Sequence, residues 1–182
     1  DSTIAALQQI ARFWRRKLDL RVIGITGSVG KSTTKEMIAE VLSTRFRTLK
    51  TPGNLNNEIG LPLTMTRLSP GHQYAVMEMG FYVPGEIAFL CDIAQPSIGI
   101  VTNVGPSHME RLGSIDAIAE AKAELVEALT EDGVAILNAD DPRVIAMAER
   151  TSANVLTYGL VPTADVRAEE IRSHGLAGVK FV

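Results

Sequence analysis

Apolar residues recur along this chain in two alternating rhythms. Ile4, Leu7, Ile10, Ala11 and Trp14 fall at helical spacing, which predicts a helix over residues 3–17 closed by Arg15, Arg16 and Lys17. That basic triplet reads as a solvated helix end. Residues 21–26 (RVIGIT) then form a short, almost wholly apolar run. A glycine turn follows, and an amphipathic helix is predicted from about Lys31 to Ser43. The alternation continues with a short strand at 47–50, a loop rich in Asn, Pro and Gly at 51–57, and a helix from about Glu58. Residues 73–78 (QYAVME) read as a strand, and Pro84 suits the start of another helix. Further strands are predicted at 97–102, 134–137 and 155–158, with helices around 114–129 and 141–150. From Asp165 onward the pattern becomes that of a β-hairpin, turning at His174-Gly175 or Ala177-Gly178 and added at an edge.

Strands that alternate with helices, and that are apolar throughout, predict an α/β fold. Its mostly parallel sheet carries helices on both faces, with the small hairpin near the C-terminus. A chain of 182 residues suits one domain with a sizeable core. The formal net charge of -3 gives no reason to expect nucleic-acid binding. Cys91 is the single cysteine, so no internal disulfide can form, which fits a reducing cytoplasm. No apolar run approaches the ~18 residues of a membrane span. The chain opens on Asp1 rather than Met, and is expected to be a piece of something longer.

The turn after the first strand reads Gly27-Ser28-Val29-Gly30-Lys31-Ser32-Thr33. Strand, glycine turn, Lys-Ser, helix is an arrangement that cradles phosphates. Glycines let backbone N–H groups turn inward, the new helix offers its positive end, and a lysine supplies a mobile cation. Ser32 would place a hydroxyl on magnesium. The general motif asks for four residues between the glycines, and only Ser28 and Val29 lie between them here. The alternative, a glycine turn with a chance Lys-Ser after it, does not explain the strand–turn–helix setting.

Ligands of an open parallel sheet bind outside the carboxyl ends of its strands. The run QYAVM ends on Glu78, SIGIV ends on Thr102-Asn103 with His108 shortly after, and VAIL ends on Asn138 before Asp140-Asp141. Each has a plain structural reading: Glu78 as a strand end or cap, His108 as a structural histidine, Asn138 and Asp140 as a turn before Pro142. Gathered on one edge with a phosphate loop, Glu78 and His108 become candidate magnesium ligands, although imidazole is the less usual partner for this cation. Lys122 falls on the apolar stripe of Ile115, Ile118, Leu125 and Leu129. By pattern alone it reads as a lysine snorkelling to an edge.

The motifs ITGSVGKSTTKEM, GNLNNEIGLPLT, MEMG, TNVGPSHMERLGSIDAIAEAKAEL and LNADDP, in this order and spacing, resemble the central ATPase domain of the Mur ligases. Within that family the resemblance is strongest to the branch that adds D-alanyl-D-alanine. The resemblance covers roughly residues 20–182 and explains the short loop, since the family's form is T-G-x-x-G-K-[ST]. It implies a P-loop NTPase-like fold, with residues 1–19 as a linker helix from an N-terminal domain. It also implies a C-terminal ligase domain beyond this chain and a central domain that is cut short.

The resemblance further implies ATP and two Mg2+ ions. Gly27, Ser28, Val29, Gly30, Lys31, Ser32 and Thr33 would hold the phosphates, and Asn138 would contact adenine. Ser32 and Glu78 would bind the first metal. His108 would bind the second, assisted by Lys122 carbamylated on its amine. Asn54, Asn56 and Asn57 would lie near the muropeptide. The implied substrates are UDP-N-acetylmuramoyl-tripeptide and D-Ala-D-Ala, joined by a monomeric cytoplasmic enzyme, and the piece alone would be inactive. Two alternatives stand beside this. One is another ligase of the superfamily, either another Mur ligase or one of folylpolyglutamate or cyanophycin synthetase type. The other is a non-catalytic nucleotide module. A GTPase is disfavoured, because neither D-x-x-G nor N-K-x-D occurs.

Overall fold

A computed structural model of the chain describes residues 2–106, 113–175 and 178–182. The strands are β1 (Arg21–Thr26), β2 (Thr48–Lys50), β3 (Tyr74–Glu78), β4 (Ile98–Val101), β5 (Val134–Asn138), β6 (Asn154–Gly159), β7 (Val166–Arg167), β8 (Arg172–Ser173) and β9 (Val179–Lys180). The helices are α1 (Thr3–Arg15), α2 (Lys31–Ser43), α3 (Gly60–Met65), α4 (Glu86–Ala94), α5 (Ile115–Glu127) and α6 (Pro142–Ile145), the last running into a 3-10 turn at Ala146–Arg150. Seven strands form one sheet in the order β2-β3-β1-β4-β5-β6-β7, with every neighbouring pair parallel. β8 and β9 pair antiparallel as a separate hairpin rather than joining the sheet, whose edge is the short β7.

Side-chain parity splits the core in two. Val22, Ala75, Met77 and Val101 face the larger cluster with Ala11, Leu61, Ile87 and Leu125, which come from α1, α3, α4 and α5. Ile23, Ile25, Val76 and Ile100 face the smaller one with Ala39 of α2. The central strands are therefore buried on both sides, as their apolar runs predict. β5 alternates between buried and half-buried positions, and no residue of β6 is buried, so coverage is lopsided at β5 and incomplete on both faces at β6. α5 lies close against the sheet because two strand residues lack side chains. A Cβ on Gly24 would stand 2.9 Å from Leu125 Cδ1, and one on Gly99 would stand 3.2 Å from both Leu125 Cγ and Leu129 Cδ1.

Several helix ends differ from expectation for local reasons. α1 stops at Arg15, whose guanidinium is half-buried: it donates to the carbonyls of Ala94 (2.8 Å), Leu18 (3.0 Å), Leu20 and Gln95 (both 3.3 Å). Burial lowers its pKa, against the raising influence of Asp19. α3 starts at Gly60 because the Asn57 side-chain carbonyl accepts from its N–H at 2.8 Å. α4 starts two residues after Pro84. Gly85 takes the left-handed conformation (φ 89°) there, and the Glu124 carboxylate of α5 accepts from the N–H groups of Gly85 (2.6 Å) and Ala88 (2.9 Å). Among the described residues no helix is long and apolar enough to cross a membrane.

Candidate nucleotide and metal site

β1 ends at Thr26, and the chain turns through Gly27 to Gly30 into α2. Both glycines have positive φ, 147° and 88°. The turn is held from β4. Asn103 accepts from the Val29 N–H and donates to the Val29 carbonyl, both at 2.9 Å, and Thr102 Oγ1 donates to that carbonyl at 2.7 Å. Ser28 Oγ donates to Gly105 O (3.0 Å) and accepts from Gly105 N–H (2.8 Å). A Cβ on Gly27 would lie 1.9 Å from Thr102 Oγ1. Gly27→Ala is therefore expected to lower stability by about 2–4 kcal/mol, from backbone strain plus overpacking, and to weaken binding of an ATP analogue. Thermal melting and calorimetric titration measure both, and unchanged values in both would show that the loop tolerates the methyl.

Lys31 folds over the loop, its Nζ donating to the Gly27 carbonyl at 2.8 Å. Its pKa is lowered by burial and raised in part by Glu78. Glu78 ends β3 on the α2 side of the sheet and is 1% exposed. Its Oε2 accepts from Ser32 Oγ at 2.8 Å, and its Oε1 accepts from Asn56 Nδ2 at 2.8 Å. Ser32 and Glu78 thus offer two converging oxygens, the donor type that a hard divalent cation takes. Among the described residues no three His, Cys, Asp or Glu side chains cluster as a metal cage.

Lys122 does not snorkel. It is 1% exposed, with Nζ 4.7 Å from the centroid of the Phe81 ring. Burial, reinforced by the positive charge of Lys31, pulls its pKa down to about 7. Lys31, Lys122, Asn54, Asn56 and Asn57 all line one cleft of about 190 Å³, together with Thr26. Thr26 Oγ1 is buried and has no hydrogen-bond partner among the described residues. An orphaned hydroxyl and two lysines give this cleft the character of an anion site.

Asn138 stands apart from that cleft. Its Nδ2 donates to the Thr102 carbonyl (2.8 Å) and its Oδ1 accepts from Asp140 N–H (2.9 Å), which ties the ends of β4 and β5 together. It lines a second, more open cleft with Tyr158, Gly159 and Leu160. Thr33 lies exposed in the first turn of α2. His108 lies outside the described residues.

Thr51 and Lys35 were given no role from the sequence, and Asn103 was read there only as the end of a strand. Thr51 is fully buried and accepts from Glu78 N–H at 3.0 Å. Asn103 braces the loop as described above. Lys35, 1% exposed, donates to the Gly53 carbonyl at 2.6 Å and stands 3.6 Å from Glu78 Oε2. For Lys35 a signal exists: it lies one turn after Lys31 and one turn before the buried Ala39, so it is a lysine on a buried stripe.

Fold and site together define a domain of the phosphate-loop class, with the ligand edge at the carboxyl ends of parallel strands. Residues 25–181 match the Mur ligase middle domain, and the chain belongs to that family. It is 48% identical over 161 residues to the UDP-N-acetylmuramoyl-tripeptide--D-alanyl-D-alanine ligase of Synechocystis sp., covering 88% of this chain and 36% of that protein. To the ligase of the same name from Bacillus subtilis it is 45% identical over 171 residues, covering 94% and 37% respectively. Among solved structures, MurF of Thermotoga maritima in complex with ADP superposes with a TM-score of 0.89 at 32% identity, over 100% of this chain and 44% of that one. The chain therefore spans little more than a third of the length of the curated relatives it matches.

Proposed function

We propose that this chain supplies the ATP site of an ADP-forming ligase that joins D-Ala-D-Ala to UDP-N-acetylmuramoyl-tripeptide in peptidoglycan precursor synthesis. The observation that carries the reading is the convergence of the phosphate loop, the Ser32–Glu78 pair and two partly desolvated lysines on one sheet edge. The names of the relatives supply the substrates. The unit is read as residues 20–182 of a three-domain enzyme, working in the cytoplasm, with residues 1–19 leading in from an N-terminal domain.

In this reading the loop amides and Lys31 take the β- and γ-phosphates, Lys31 exchanging the Gly27 carbonyl for a phosphate oxygen. The substrate carboxylate attacks the γ-phosphorus, the bond to the ADP oxygen breaks, and an acyl phosphate forms. The amine of D-Ala-D-Ala then attacks the acyl carbon. Phosphate leaves, and the nitrogen gives up its proton. Lys31 and the orphaned Thr26 hydroxyl face the anions of both steps. Magnesium, when bound at Ser32 and Glu78, supplies charge neutralisation at the phosphates. A second ion at His108, with Lys122 carbamylated, belongs to the same proposal. Asn54, Asn56 and Asn57, in the wall of the cleft, suit the acceptor side. Asn138, two strands from β1, lies about 10 Å along the edge at ordinary strand spacing, a reach that suits the nucleotide base.

ADP release by the intact protein tests the proposal. It is expected to need the UDP-sugar tripeptide and D-Ala-D-Ala together, and to be absent from the 182-residue chain alone. Equal release with unrelated amines would overturn the substrate assignment and leave the ATP site standing.

A further inference from the structure

Behind the cleft wall stands a buried charge that the proposed chemistry does not use. Lys35 is buried in α2, one turn beyond Lys31, and its ammonium is pinned rather than mobile. It donates to the Gly53 carbonyl at 2.6 Å, on the loop that carries Asn54, Asn56 and Asn57. It faces two carboxylates. Glu36, at 3.2 Å, is exposed and also pairs with Lys50, so solvent and a second cation already satisfy it. Glu78, at 3.6 Å, is buried and has no second ion pair among the described residues. An ionised carboxylate at that depth needs a countercharge. Lys35 is the residue placed to provide it, on the same Oε2 that Ser32 touches.

A fixed cation beside a carboxylate competes with a metal for it. Lys31 adds a second positive charge close enough to Glu78 for each to act on the other. The carboxylates lining the cleft, Glu58 and Glu86, are exposed or half-exposed at its rim. The buried part of the site is thus biased toward anions until phosphates arrive. Once a nucleotide brings its own negative charge, that bias is cancelled and a cation becomes favourable at Glu78.

We propose that Lys35 is a positioning residue that acts as a built-in counterion to Glu78. It keeps the empty carboxylate from holding a free divalent ion, so that the metal enters with the nucleotide, while its Gly53 bond keeps the asparagine loop in place. The inference rests on Glu78 being the metal carboxylate of the proposed ATP site.

The test is Mn2+ binding to the intact protein without nucleotide, read by electron paramagnetic resonance of the free ion. Lys35→Met removes both charge and tether. Lys35→Gln removes the charge but keeps a donor for the Gly53 carbonyl, and it carries the test if the Met variant does not fold. Lys35→Arg keeps the charge. Both neutral variants are expected to bind Mn2+ at least tenfold more tightly than the parent, and the Arg variant within about twofold of it. Unchanged or weaker binding in the folded neutral variants would overturn the counterion role. Glu78→Gln in the Lys35→Gln background separates the two readings. If it abolishes the gained affinity, both hold. If tight binding survives it, the metal is not at Glu78 and the site reading itself falls.

Discussion

Lys122→Ala is expected to reduce ligase turnover by three orders of magnitude or more, and millimolar short-chain carboxylates are expected to restore part of it. The reasoning starts from burial. An amine with its pKa drawn down to about 7 is substantially neutral at physiological pH, and only the neutral form can attack CO2. The N–C bond forms, a proton leaves, and a cation becomes an anion with two oxygens, which is the charge a metal site would want where Lys31 already repels an ammonium. Full activity of Lys122→Ala would remove the residue from the mechanism. Failure of every small carboxylate to rescue it would leave the amine itself, not its carbamate, as the working group.

The same residue makes a stability prediction of opposite sign. With the folded pKa depressed, the unfolded chain binds the extra proton between pH 7 and 10.5, so stability rises across that window and the burial penalty is largest below it. Lys122→Met, of similar length without the charge, should therefore melt at a higher temperature than the parent at pH 6–7, and the difference should shrink toward pH 10. A stabilised and inactive variant is the mark of a group kept for chemistry rather than for folding.

Lys31→Met is the second large effect. The loss of the mobile cation should lower kcat/KM by about a thousandfold, near 4 kcal/mol of transition-state stabilisation, because partial burial of Lys31 weakens the screening of the charge it meets. The fold should be little changed, since the variant gives up a hydrogen bond to the Gly27 carbonyl, worth about 1 kcal/mol, and a longer one to the Ser28 carbonyl. Circular dichroism and melting check the second half, and ADP release checks the first. A loss of tenfold or less would mean that the loop amides alone carry the phosphates.

These residues were not equally visible in the sequence. The phosphate loop and the sheet class follow from local pattern, because a glycine turn between an apolar strand and an amphipathic helix is a short-range feature. Glu78 follows from asking where an apolar run ends. Lys122 needed the family resemblance, since a lysine on a buried stripe has two readings and only tertiary packing against Phe81 decides between them. Lys35 has the same signal on α2 but sits next to Glu36 and Lys50, so it passes for part of a solvated charge cluster. Thr51, and the bracing role of Asn103, were hidden for a different reason. Each does its work across strands, bonding to Glu78 and Val29, partners 27 and 74 residues away in sequence. The half-covered face of β5 was likewise illegible, because VAIL is apolar whether or not a helix covers it.

The two strand glycines under α5 have a further meaning. Where Gly24 and Gly99 meet Leu125 and Leu129, the helix rests on bare backbone, so its height above the sheet is set by main-chain geometry. Lys122, one turn along the same helix, inherits that height. The depth at which its amine stops is thus gauged by the two strands.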